Sequence, residues 1–299
     1  MIIRRTTHLF LSALIITMLA ACATSIPDLQ SSTLMIAPTL QSQLVSTSSP
    51  SNQPAMPINA QACAAQGVVE RYQLESELLN APVFVSVYLP PCYDENMGGG
   101  YPALYLLHGQ TFDDRMWIDL GAVAQADALI VSGDARPFLM VMPYEEFYYR
   151  EADGNLFPEA VIDEIIPWVE RSFNVCPGKD CRALGGISRG ASWSMRIGLT
   201  RPDVFSLLGA HSLPTFRGDL GRLPGWLEAI PEDDMPRIYL DTGRFDPEVK
   251  AAYRFNGVLD EKGVPHEWHL NEGRHNEEYW MAHIQDYLRW YAAGWETGK

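Results

Sequence analysis

Arg182-Ala183-Leu184-Gly185-Gly186-Ile187-Ser188-Arg189-Gly190-Ala191-Ser192 is the stretch whose reading decides the fold. It contains Gly186-Ile187-Ser188-Arg189-Gly190, a G-x-S-x-G pentapeptide. In such an elbow the serine sits on a sharp turn between a strand and a helix, and the flanking glycines avoid collisions where the backbone doubles back. The pentapeptide by itself is weak, since glycine and serine are common. Its surroundings decide. Ala183, Leu184 and Ile187 make an apolar run suited to a buried strand, and Ala191 to Thr200 has helical composition and ends before Pro202.

Upstream, Tyr101 to Gly109 is a continuous apolar run ending in His108-Gly109. A run without alternation predicts a strand covered on both faces. In elbow hydrolases the loop after such a strand supplies one oxyanion N–H and the residue after the nucleophile supplies the other. Those positions are Gln110 and Arg189, and His108 is read as shaping that loop rather than as a base. Val68 to Leu79 and Val83 to Leu89 both alternate and are split by Asn80-Ala81-Pro82, which predicts an antiparallel hairpin. Phe138 to Met142 predicts another buried strand. Tyr144 to Arg150 follows it, where open α/β sheets bind ligands; its aromatics line a pocket with Glu145 and Glu146 opposing anions, or else pack down. Leu156 to Phe173 predicts an amphipathic helix that Pro167 should kink.

Downstream, Leu207 to His211, Arg237 to Thr242 and Glu267 to Leu270 read as strands, and Ala122 to Val131, Pro247 to Lys262 and Glu277 to Trp295 as helices. Ser212 to Pro236, rich in proline, glycine and acid and carrying Phe216 and Trp226, is either a lid over the site or a long loop. Strands alternating with helices imply an α/β fold: a three-layer sandwich on a mostly parallel sheet, with the first hairpin at one edge. The polar groups run serine, acid, histidine, the order of the α/β-hydrolase triad. His275 follows the last strand. Asp246 is preferred as the acid because it lies beyond the strand end; Asp241, on the strand itself, is the alternative.

The chain opens with Arg4-Arg5, an apolar run from Leu9 to Leu19, and Leu19-Ala20-Ala21-Cys22. Residues 1–21 read as an export signal too short to span a bilayer, and the ending looks like a bacterial lipobox that would leave Cys22 as a lipidated first residue. An ordinary signal peptide is the other reading. Thr24 to Gln61 has Asp28 as its one charge and no aromatic residue, so 22–61 is expected to be a tether that cannot bury enough surface to order itself. Residues 62–299 then form one domain with a substantial core. The address implied is the cell envelope, facing the periplasm or exterior.

In an oxidising compartment Cys63, Cys92, Cys176 and Cys181 suggest two disulfides. Cys176 and Cys181 bracket the turn-forming Pro177-Gly178-Lys179-Asp180, which favours their pairing and leaves Cys63 for Cys92. A short loop of this kind gains roughly 2 kcal/mol. The thiols form no paired C-x-x-C arms and have no clustered histidines, which argues against a metal site. The formal charge is −15, and −17 once Arg4 and Arg5 leave with the signal, so nucleic acid and anionic lipid are poor partners. The membrane would be met through Cys22 alone.

The His-Gly loop with Asp113-Asp114 and Trp117, Ile165-Ile166-Pro167-Trp168, the elbow, Gly243 to Asp246, and Gly273-Arg274-His275 ending near Tyr279-Trp280 together resemble the "putative esterase" family. That is the α/β-hydrolase group of esterase D, feruloyl and acetyl xylan esterases, siderophore esterases and mycolyltransferases. The resemblance covers about residues 66 to 292. It implies Ser188, Asp246 and His275 as the triad, no cofactor, and an ester substrate, small or carried on a polysaccharide, with Trp117, Tyr144 and Trp226 as candidate substrate contacts. Gln110 stands where the family often has glycine or a bulkier residue. Three activities fit: an esterase, which is preferred; an acyltransferase using a sugar hydroxyl as acceptor; or a binding module with a relic elbow.

Overall fold

The structure is a computed structural model, and it describes residues 66–296. The export signal, Cys22, the tether, Cys63 and with it the expected Cys63–Cys92 bridge fall outside the described residues.

The alternating segments pair as expected. β1 (Val68–Ser76) and β2 (Ala81–Leu89) run antiparallel, with Val68 opposite Leu89 and Ser76 opposite Ala81. β1 stops three residues before the expected Leu79, because the Glu164 carboxylate accepts the N–H groups of Glu77 and Leu78 and draws the chain out of the ladder. The apolar runs become β3 (Ala103–Leu107), β4 (Leu139–Pro143), β5 (Arg182–Ile187), β6 (Leu207–His211) and β7 (Arg237–Gly243), and the more polar, alternating stretch around Glu267 to Leu270 becomes the edge strand β8 (His266–Asn271). The order is β1-β2-β4-β3-β5-β6-β7-β8; β2 pairs antiparallel with β4, and every pair from β4 to β8 is parallel.

Burial follows the pleat. In β3, Ala103, Tyr105 and Leu107 face one core while Leu104 and Leu106 face the other. The first core is covered by α3 (Phe157–Ala160), α4 (Ile166–Ser172), α5 (Arg189–Thr200), α6 (Asp219–Ala229) and α7 (Val249–Glu261). The second lies under α1 (Met116–Asp119), α2 (Ala122–Ser132) and α8 (Glu277–Glu296). The three-layer expectation therefore stands on two separate cores. Among the described residues no helix is long and apolar enough to cross a membrane.

Two predicted segments take a different form. The kink expected at Pro167 is a π-helical turn, Val161–Ile165, between α3 and α4, since proline cannot donate into the helical ladder and the wider turn absorbs the missing bond. The stretch 212–236 is neither a free lid nor a structureless loop: α6 forms inside it despite Pro224, because Leu223 and Leu227 bury against the first core. Cys176 and Cys181 are disulfide-bonded with Cα atoms 5.9 Å apart, just before β5.

Candidate active site

The elbow is built by close backbone approach. Ser188 sits at φ 55° and ψ −117°, a left-handed conformation that costs a non-glycine residue energy. Its N–H donates to the His211 carbonyl at 2.8 Å, pinning the turn to β6. A Cβ on Gly186 would lie 2.2 Å from the Gly190 carbonyl, and one on Gly190 would lie 2.2 Å from the Leu107 oxygen. Both glycines are sterically required, so Ser188 projects from the end of β5 at the head of α5.

The loops after β7 and β8 are clamped in the same way. Gly243 leaves no room for a Cβ against the Gly273 carbonyl, and the N–H groups of Arg244 and Phe245 donate to the carbonyls of Asn271 and Gly273 at 2.7 and 2.9 Å. This zipping sets Asp246 beside His275. His275 Nδ1 is 2.8 Å from Asp246 Oδ2, and His275 Nε2 is 2.8 Å from Ser188 Oγ. One hydrogen-bonded line thus joins three residues from three loops at the carboxyl edge of the sheet. Asp246 also accepts the Glu248 N–H at 2.7 Å through Oδ1. Burial alone would raise the Asp246 pKa, but the bonds from His275, Glu248 and Ser212 outweigh it and hold the carboxyl below its ordinary range.

Asp241, the alternative acid, lies elsewhere. It is fully buried and accepts from His211 Nδ1 at 2.6 Å, from the Tyr279 hydroxyl at 2.5 Å and from the Tyr287 hydroxyl at 2.8 Å. Neither Ser188 nor His275 is among these partners.

The β3–α1 loop is held on the elbow: the Leu107 and His108 carbonyls touch the space above Gly190. His108 is buried, with Nδ1 against the Gly109 carbonyl at 2.7 Å and Nε2 accepting the Glu145 N–H at 2.8 Å. That geometry fits a neutral ring protonated at Nδ1, and burial pushes its pKa down. The Gln110 N–H rides on this loop. The Arg189 N–H opens α5, where a helix leaves its first donors without intrahelical acceptors.

With this geometry in place, comparison with known proteins is direct. The model of the family described as "Putative esterase" matches residues 76–291. The chain belongs to this esterase family. It is 31% identical over 160 residues to an endo-1,4-beta-xylanase/feruloyl esterase of Xylanibacter ruminicola, matching 50% of this chain and 22% of that protein. It is 26% identical over 256 residues to an esterase of Mycobacterium tuberculosis, matching 68% of this chain and 55% of that one. The chain thus spans less than two thirds of the length of either curated relative. Among solved structures, a CE1 ferulic acid esterase from Anaeromyces mucronatus superposes with a TM-score of 0.65 at 22% identity, over 80% of this chain and 95% of that one. Another ferulic acid esterase reaches 0.68 at 23% identity, over 77% and 99%. These likenesses establish the α/β-hydrolase fold.

In this member of the esterase family the wall beside the elbow rests on an ion pair that the sequence did not disclose. Of the two readings of 144–150, a pocket with both acids opposing anions or a segment packed down, Glu145 follows the second: it is buried, while Glu146 is exposed. Arg189 meets it bidentately, Nε to Oε2 at 2.8 Å and a terminal nitrogen to Oε1 at 2.7 Å, while Trp193 Nε1 and Asn155 Nδ2 donate at 2.8 and 3.0 Å. Glu145 is therefore neutralised and saturated, and the Arg189 side chain is tied back beneath the cleft. The only advance signal was a charged residue inside a nucleophile pentapeptide.

A cleft of about 620 Å³ opens here, with Gln110 and Arg189 on one side and Tyr148, Tyr149 and Phe216 among its walls. Two expected substrate contacts are corrected. Trp117 is buried in the second core, its Nε1 donating to the Leu107 carbonyl at 3.1 Å, so it supports the loop from beneath. Trp226 is half-buried against the first core on α6, and the cleft is lined instead by Phe216, Arg217 and Arg222 from the same segment. Tyr144 is half-buried with its ring 5.4 Å from that of His108, at the margin of the site.

Proposed function

We propose that this protein is a serine esterase that cleaves carboxylic esters through an acyl-enzyme, with Ser188 as nucleophile, His275 as general base and acid, and Asp246 as the group that orients His275. The observation carrying this reading is the unbroken line from the Ser188 hydroxyl through both nitrogens of His275 to a buried carboxylate. As Ser188 Oγ bonds to the ester carbonyl carbon, its proton passes to His275 Nε2, and Asp246 stabilises the resulting imidazolium. The carbonyl oxygen becomes an oxyanion held by the Gln110 and Arg189 N–H groups; losing one such donor raises the barrier by roughly 3 to 4 kcal/mol. Collapse breaks the bond to the alcohol, which takes the proton from His275. Water then attacks the acyl-enzyme by the reverse proton path and frees the acid.

Feruloyl or acetyl groups on polysaccharides are the favoured substrates, supported by the feruloyl esterase named among the relatives and by the aromatic side chains along the cleft. The test is hydrolysis of feruloyl and acetyl aryl esters together with fluorophosphonate labelling. Labelling that persists in Ser188→Ala would overturn the nucleophile assignment. The Leu19-Ala20-Ala21-Cys22 ending supports an envelope address through lipidated Cys22. Cys22→Ser should move the protein from the membrane to the soluble fraction.

A further inference from the structure

The cleft bordered by Gln110 and Arg189 is electrically unlike the chain around it. The protein has a formal charge of −15, yet Arg150, Arg189, Arg217 and Arg222 line this cleft against only Glu151 and Asp153. Two of the four cations are already matched. Arg189 is paired with buried Glu145, and Arg222 with Asp153 at 2.7 Å. Asp153 is also bonded by Arg196 at 3.0 Å, and Arg222 first, then Arg196, holds its carboxyl at about 2.

Arg150 and Arg217 are the remainder. Both are exposed, and among the described residues neither has a carboxylate partner within ion-pair distance. Arg150 lies 4.1 Å over the Phe147 ring, a contact that holds a guanidinium in place without neutralising it. Arg217 follows Phe216, whose ring packs 4.4 Å from that of Trp193 and so fixes the start of this segment against α5. Gln110 and Arg189 border the same cleft, so the two cations share it with the residue that directly follows Ser188.

We propose that Arg150 and Arg217 bind a carboxylate carried by the ester substrate and select for such esters over neutral ones. This rests on the reading of Ser188 as nucleophile. A guanidinium presents a planar fork of donors that matches a carboxylate, and a partly walled cleft weakens the competing hydration of both partners. Glu151 is the one unmatched acid on the rim, and it is outnumbered. The carboxylate has two chemical sources: the acyl portion, as in a dicarboxylic half-ester, or the alcohol portion, as in a uronic or hydroxybenzoic acid.

Two substrate pairs separate these sources in the full chain. 4-Nitrophenyl hemisuccinate against 4-nitrophenyl butyrate varies the acyl side, and 4-acetoxybenzoate against its methyl ester varies the alcohol side. In at least one pair the anionic ester should have the higher kcat/KM by about tenfold, and the pair showing it names the source. The ratio should fall to about one in Arg150→Gln/Arg217→Gln, and should shrink in 0.5 M salt, about a Debye length of 4 Å. Because the readout is a ratio, a general loss of activity in the variant does not mimic it. Anionic-to-neutral ratios at or below one for both pairs, or a ratio unmoved by the double substitution, would overturn the proposal. Titration calorimetry of both pairs on Ser188→Ala reads the same preference as a Kd ratio without turnover. Failure of hydrolysis alone would thus sink the nucleophile reading while the calorimetric ratio still decides the arginines.

Discussion

Two histidine–aspartate pairs lie at the carboxyl edge of the sheet, chemically alike and differently placed. In His275–Asp246 the imidazole is 21% exposed and its far nitrogen meets the Ser188 hydroxyl. In His211–Asp241 both side chains are fully buried, and the far nitrogen meets the Tyr291 hydroxyl at 3.1 Å. The first pair ends on the half-buried hydroxyl of the elbow; the second ends on a tyrosine inside the core, with the Tyr287 ring stacked 3.6 Å from that of His211. A carboxylate-bound imidazole is therefore only a part. What lies on its other nitrogen, and whether a substrate can reach it, decides whether it does chemistry or holds the sheet to α8.

The comparison breaks most sharply on rate. Asp246→Asn should lower kcat on an aryl ester by about 10⁴, because an amide favours the wrong imidazole tautomer, with the melting temperature little changed. If Asp241→Asn gave that loss instead, the two pairs would exchange roles. Asp241→Asn is expected to keep most of its rate and lose about 3 kcal/mol of stability in urea titrations, since three donors would lose their charged acceptor in the interior. Tyr291→Phe should cost about 2 kcal/mol by leaving His211 Nε2 without its partner, again with little effect on turnover.

The smallest effect uses a third histidine. His108 has its pKa lowered from 6.5 by burial, so below pH 6.5 the unfolded chain binds the proton that the folded one refuses. Its contribution to stability is intact above that pH and is lost as pH falls towards the folded value, at no more than about 1.4 kcal/mol per pH unit. Denaturant midpoints measured from pH 7 to 5 should fall less steeply in His108→Asn.

Most of the strands, the hairpin and the position of the elbow were legible because each rests on local pattern: unbroken apolar runs, period-two alternation, and glycines flanking a serine. The preference for Asp246 over Asp241 had a similar local reason, one lying past a strand end and the other within the strand, but position alone left the choice open. What stayed hidden depends on contacts remote in sequence. Glu145 and Arg189 are 44 residues apart, and neither shows by itself that it is half of a buried pair. Trp117 has the composition of a ligand platform, and only packing reveals it as a support. Gly185 and Gly209 look like plain strand residues, yet a Cβ on either would collide with the Tyr291 hydroxyl. Proline and glycine in 212–236 concealed α6, whose stability comes from the core it covers.

The contact between Gly190 and the Leu107 carbonyl has an evolutionary corollary. The elbow and the loop after β3 approach each other here through main chain, so any side chain added at position 190 would push the two apart, and they should vary as a single unit. The wall formed by 144–153 and 216–222 is joined to that unit mainly by side chains. Substitutions in that wall can thus reshape the cleft without moving the elbow.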